Sequence, residues 1–184
     1  MRSKIVFLCS FLILISSCKE QEARRPVTAS KTYTLASTAE QLKEINAIQE
    51  AKVQDYMTKD SLVNYISSSY GYWYQYIQKV DQEAKTPQKE DIVEISYEIL
   101  DLNDRVIYSK EELGIKEYKI DKEDFIPALQ QGIKMMKIGE TVKFVIPSFN
   151  AFGVVGDDHK IGINQSIISI VTLINIKENP QNEE

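Results

Sequence analysis

The sequence is short of nearly every residue type that makes a chemically conspicuous site. It has one histidine, His159, and two cysteines, Cys9 and Cys18, in 184 residues. A Ser-His-Asp relay or a histidine metal site would have to rest on His159, which no obvious partner accompanies. Asp157 and Asp158 beside it read as a solvated loop. The 7 glycines form no phosphate-cradling loop. Positive charge is also scarce: 22 Lys and Arg against 27 Asp and Glu leave a formal charge of −5, which argues against nucleic acid as a partner. No apolar run reaches the ~20 residues that a membrane-spanning helix needs.

What is present begins with an export signal. Arg2 and Lys4 precede the apolar run "IVFLCSFLILI" (Ile5 to Ile15), and the small residues Ser16 and Ser17 precede Cys18. The tetrapeptide "ISSC" resembles the lipobox of bacterial lipoproteins, in which the signal is cut before the cysteine and that cysteine is lipidated. Residues 1–17 are then a signal peptide, and the chain meets the membrane through a lipid anchor at Cys18. With Cys9 removed, no disulfide forms. Loss of Arg2 and Lys4 takes the formal charge from −5 to −7. The chain that remains is long enough for one core and an extension.

Residues 18–36 are polar and broken by Pro26, a tether with too few large apolar residues to bury. Ser37, three residues before Glu40, has capping-box spacing and opens a helical extension over 37–66 with no Gly or Pro. Leu42, Ile45, Ile48, Val53, Tyr56 and Met57 give it a modest apolar stripe, which suits packing on the following domain or dimerisation. From residue 67 to 178 the period changes to that of strands. "YWYQYIQKV" is aromatic, and "VEISYEIL" alternates Val93, Ile95, Tyr97 and Ile99 with polar residues. Further strands are expected at Val106–Tyr108, Glu117–Ile120, Val142–Ile146 and Ile167–Ile176. One helical piece, Pro127 to Ile133, interrupts them, with Pro127 in its first turn, Gly132 at its end and Ile126, Leu129 and Ile133 along one face. Residues 179–184 read as a disordered tail. This order predicts an α+β domain, an antiparallel sheet against a single helix.

The stretch "VKFVIPSFNAFGVVG" is unusual because Pro147 ends a strand, yet the loop beyond carries Phe149, Phe152, Val154 and Val155. Together with "VEISYEIL", "DRVIYSK", "DFIPALQQGIKMMKIGE" and "SIISIVTLINIKE", it resembles the FKBP-type peptidyl-prolyl cis-trans isomerases from about Gly71 to Lys177. The resemblance implies an FKBP-like sheet wrapped on one short helix, no cofactor, and an apolar pocket for a proline ring under that loop. Tyr97, Phe125, Ile126 and Phe152 would be catalytic, with Ile126 offering its main-chain N–H. Ile107, Tyr108, Tyr118, Leu129, Ile161 and Ser169 would bind substrate. Several positions depart from the family pattern: Leu129 stands for a Trp, Phe152 for a Tyr, Tyr108 for an Asp, and Ile107 and Ser169 for aromatic residues.

With its lipobox the chain resembles the lipoprotein isomerases of Bacteroidetes associated with gliding motility. That implies a lipoprotein of the cell envelope, on the periplasmic side of the outer membrane. Its partners would be proline-containing exported polypeptides, motility proteins among them. A non-catalytic chaperone or binding module in an envelope complex, using the pocket wall and the Tyr72–Tyr76 aromatics, is the alternative.

Overall fold

Alternating apolar side chains give this chain a sheet with two covered faces. The structure is a computed structural model that describes residues 35–60, 64–81 and 83–180. The signal peptide, Cys18 and nearly all of the tether lie outside the described residues, as does the end of the tail. The elements are α1 (Leu35–Lys59), β1 (Ile66–Ser67), β2 (Trp73–Gln78), β3 (Ile92–Leu100), β4 (Val106–Tyr108), α2 (Lys110–Leu113), β5 (Ile115–Lys119), α3 (Pro127–Gly132), β6 (Thr141–Ile146) and β7 (Ile167–Lys177). All strand pairings are antiparallel, in the order β1-β2-β6-β7-β3-β4, with β5 also paired to β3.

On the front face Val93, Ile95, Tyr97 and Ile99 of β3 meet Val142, Phe144 and Ile146 of β6 and Val171 and Leu173 of β7. Helix α3 covers them with Ala128 and Leu129, and the helical turn Ile133–Met135 continues it with Ile133. Tyr72 is buried in this same core, and Tyr74 and Tyr76 pack against it half-buried. Gly132 has a helical φ of −64° and does not end the helix by a left-handed turn. Its lack of a side chain makes room for Phe144: a Cβ there would lie 2.4 Å from Phe144 Cε1. The real left-handed turn comes at Gly139, with φ +87°, where the chain enters β6.

The back face is smaller. Val53 and Tyr56 of α1 pack on Leu100, Val145 and Ile168, with Met57 and Trp73 alongside. Helix α1 begins two residues before Ser37, so Ser37 is not its cap, and it ends at Lys59 rather than 66. Ile66 pairs with Tyr74 as an edge strand. Only the C-terminal half of the helix reaches the sheet; Leu42 and Ile48 are exposed. Polar groups fix the contact. Tyr56 donates to Asp104 Oδ1 (2.9 Å) and accepts from Lys143 Nζ (2.5 Å), whose ammonium stands over the Tyr56 ring. Gln49 accepts from the Ser166 hydroxyl, which accepts from the Ser148 N–H, tying α1 to the root of the loop after β6.

Candidate functional site

The front face of the sheet is longer than the short helix α3 that covers it, and the uncovered part forms a cavity of about 510 Å³. Ile99 and Tyr97 of β3 form its floor, and the segment Asp124-Phe125-Ile126-Pro127 leading into α3 forms one wall. Tyr108 and Leu113 come from the β4–α2 side, and Ala151, Phe152 and Asp157 from the loop after β6. Tyr97 meets Phe125 edge-on, ring centroids 5.5 Å apart at 87°. The Lys116 ammonium lies 5.2 Å over the Phe125 ring.

The segment before α3 is held open-handed. The Gln130 side chain donates to the Phe125 carbonyl (2.9 Å), and the Ile126 carbonyl accepts the first N–H groups of the helix. The Ile126 N–H has no acceptor among the described residues although Ile126 is only 6% exposed, so a donor faces no protein partner beside the cavity. Tyr97, also buried, makes no side-chain hydrogen bond among the described residues, and burial raises its hydroxyl pKa, keeping it a neutral donor.

Tyr108 and Asp157 close the far side. The Tyr108 hydroxyl donates to Asp157 Oδ2 at 2.5 Å, and Asp157 Oδ1 accepts from the main-chain N–H groups of His159 (2.9 Å) and Ile161 (2.8 Å). Desolvation pushes the Asp157 carboxyl up, but the Tyr108 hydroxyl and those two N–H groups outweigh it and hold the group below the usual carboxylate range. Asp157 is therefore no mere solvated loop residue. His159 beside it is exposed.

Of the expected site residues, Tyr97, Phe125, Ile126, Phe152 and Tyr108 are brought together around the cavity. Five others of the expected substrate-binding set are not among the residues that line it. Tyr118 is fully buried behind Phe125, ring centroids 5.4 Å apart, and its hydroxyl has no partner among the described residues. Leu129 is sealed under α3 in the core. Ile107 is half-buried against the core, because a register shift in the β3–β4 ladder sets Tyr108, not Ile107, opposite Ile99. Ile161 is buried at the base of its loop. Ser169, fully buried between Ile99 and Phe144 in the ladder, donates its hydroxyl to the Glu98 carbonyl (3.1 Å).

The cavity also has lining residues that sequence reasoning passed over. Leu113 sits on α2, a helix not expected, although its signal was readable: Ser109 caps the Glu112 N–H and Gly114 follows with φ +65°. Asp157 and Lys116 carried no such signal, since their place depends on how a loop and a strand edge fold back on the sheet.

Comparison with known proteins points one way. The family model for the FKBP-type peptidyl-prolyl cis-trans isomerases matches residues 83–174. A curated relative from Neisseria meningitidis serogroup B, described as a probable FKBP-type peptidyl-prolyl cis-trans isomerase FkpA, is 31% identical over 94 residues, which cover 51% of this chain and 34% of that protein. The chain thus spans about one third of that relative's length. Among solved structures, FkpA of Escherichia coli is similar with a TM-score of 0.61 at 22% identity, covering 98% of this chain and 84% of that one. A peptidyl-prolyl cis-trans isomerase of Pseudomonas syringae gives 0.60 at 15% identity, over 74% and 96%. At such identities the structural likeness speaks for the fold alone.

Proposed function

This chain belongs to the FKBP-type peptidyl-prolyl cis-trans isomerase family, and on that premise we propose that its cavity takes up an Xaa-Pro segment of an exported polypeptide and accelerates rotation about the prolyl amide bond. The observation that carries the reading is an apolar, aromatic-walled cavity beside one unpartnered main-chain donor, Ile126. Rotation about an amide must overcome ~18–20 kcal/mol of lost resonance, and at Xaa-Pro it takes tens to hundreds of seconds unaided. No bond breaks, so neither a nucleophile nor a shuttling base is needed.

Catalysis here means favouring the twisted amide over both planar forms. Withdrawing the carbonyl from water disfavours the charge-separated planar amide more than the twisted one. Phe125, Tyr97 and Phe152 supply that dry environment and fix the proline ring, while the Ile126 N–H and the Tyr97 hydroxyl offer donors to the substrate main chain. A millionfold acceleration asks these together for ~8 kcal/mol. Phe152 keeps an aromatic wall but offers no hydroxyl, a difference worth ~0.5–1.5 kcal/mol in ligand binding.

The test is the exchange rate of a short Leu-Pro or Phe-Pro peptide with the unit 35–184 and with its Phe152→Ala variant. The native unit is expected to accelerate exchange, and loss of the ring to lower kcat/KM by at least about tenfold, some 1.4 kcal/mol. A folded native unit that leaves the rate at that of buffer overturns the enzyme reading in favour of a binding module.

The basic residues, apolar run and "ISSC" at the N-terminus support an envelope lipoprotein anchored at Cys18. The clients are then proline-containing exported polypeptides, and the likeness to lipoprotein isomerases of Bacteroidetes makes motility proteins the first clients to test. Cys18→Ser is expected to yield a precursor that no longer partitions with membranes. Membrane binding that survives the substitution argues against the lipid anchor.

A further inference from the structure

The loop that completes the cavity, residues 152–164, leaves the sheet after β6 and touches the opposite wall at two places. Near its root it is held by its own main chain: the Gly153 N–H donates to Ser148 O (2.7 Å) and the Asn164 N–H to Gly153 O (2.9 Å). Farther out, the side-chain hydrogen bonds from this loop to other elements, among the described residues, are Tyr108–Asp157 and Lys160–Glu112, and the Lys160 ammonium also lies over the Tyr108 ring. Lys160 and Glu112 are 47% and 46% exposed, so water and salt screen that pair. The Tyr108–Asp157 bond is part-buried, and its carboxylate also gathers the His159 and Ile161 N–H groups of its own loop.

The loop is shaped to present that carboxylate. The Asp157 N–H donates to the Ile161 carbonyl (3.1 Å), closing a tight turn, and Gly156 stands so near that a Cβ there would lie 2.4 Å from the same oxygen. Asp157 and Phe152 line the same cavity, and the Gly156 N–H donates to Phe152 O (3.1 Å), so the position of one constrains the other. Across the cavity, Tyr108 is placed by its pairing with Ile99 in the ladder, and the loop's own Lys160 ammonium meets it again 4.6 Å over its ring.

We propose that Tyr108 and Asp157 are a positioning pair that latches the 152–164 loop to β4 and so holds Phe152 in place as a wall of the cavity. This rests on reading the cavity as the isomerase site. The carboxylate beside the pocket is carried by the loop, and the β4 position carries its donor. Since the bond to Asp157 raises the Tyr108 hydroxyl pKa and Asp157 remains ionised, donor and acceptor keep their roles at neutral pH.

A latch of this kind acts on the fraction of molecules whose site is formed. If that fraction falls, apparent affinity falls in proportion, while turnover at saturation is retained. The experiment uses the full chain with Tyr108→Phe, Asp157→Asn and the double variant, measuring kcat and KM on an Xaa-Pro peptide and amide relaxation of residues 153–164. Each single change is expected to raise KM by about five- to tenfold with kcat within about twofold. The double variant is expected to be no worse than either single one, because one bond is lost in all three. The loop amides gain mobility while the melting temperature stays close to native.

Unchanged KM with unchanged relaxation overturns the latch, as do additive losses in the double variant. A fall in kcat with KM unchanged also overturns it, since that assigns the pair to the transition state itself. If the native chain shows no turnover, the isomerase reading fails separately, and loop relaxation in Tyr108→Phe still decides the latch: greater mobility supports it and no change refutes it.

Discussion

Gly132 shows how much one side chain can matter by its absence. By propensity alone, alanine should improve the helical segment by ~1 kcal/mol. The structure reverses the sign, because Phe144 Cε1 and Cζ occupy the space 2.4 and 2.8 Å from where a Cβ would stand. Phe144 cannot retreat: it is fully buried, with the Tyr72 and Tyr74 rings at 5.8 and 6.5 Å. Gly132→Ala is therefore expected to destabilise the domain by about 1–3 kcal/mol through overpacking, read as a lower urea midpoint. An unchanged or higher midpoint means that the ring has room to move. The same local reasoning explains Tyr108, which reads in isolation as the loss of a family carboxylate, yet in the fold faces Asp157 from another loop.

Among elements, α1 is the one whose role the stripe of apolar residues left open between packing and dimerisation. Its stripe is modest because only half of it is used: Gln49, Val53 and Tyr56 are buried, while Leu42 and Ile48 face solvent. Val53 is sealed against Tyr56, Leu100, Val145 and Ile168, so Val53→Ala is expected to cost about 2 kcal/mol in equilibrium unfolding with the m-value unchanged. No loss of stability would mean that the helix does not pack on its own sheet in solution. Because Gln49 reaches Ser148 through Ser166, α1 also braces the strand end from which the cavity loop departs. The front-face elements are linked more simply, since α3 is short and leaves Tyr97 and Ile99 uncovered.

At the scale of the molecule, charge is arranged around strand ends and turns. Hydrogen bonding by Lys122 holds the Glu90 carboxyl below its usual value of 4.5, and Lys177 does the same for Glu94. Asp157 is depressed as well. A carboxyl with a lowered folded pKa contributes stability above its unfolded value, and that contribution is lost as pH falls through the folded one. The melting temperature is therefore expected to be flat from about pH 7 to 5 and to decline below about pH 4.5, with Glu94→Gln shrinking the decline. A melting temperature that is constant down to pH 3 would show that these exposed pairs contribute nothing measurable. Lys177 acts at the other end: Glu117 first, then Glu94, raise its pKa, so its contribution persists through neutral pH and is lost only in strong base.

What the sequence determined by itself was the order and type of most elements, because period two and period 3.6 are local patterns that burial of one face imposes on neighbouring residues. It also determined the aromatic character of the cavity: Tyr97 sits on the inward parity of β3, Phe125 and Ile126 stand just before a proline-started helix, and Phe152 lies in a loop too apolar to be only a connection. Tertiary structure alone decided which residues of that set reach the cavity. Tyr118 and Leu129 fell behind its wall, and a register shift of one ladder position favoured Tyr108 over Ile107. The meeting of Tyr108 with Asp157, 49 residues apart, had no local signature at all. Their contact follows from a sheet edge and a folded-back loop closing on each other, and such closure depends on long-range packing that no window of neighbouring residues encodes.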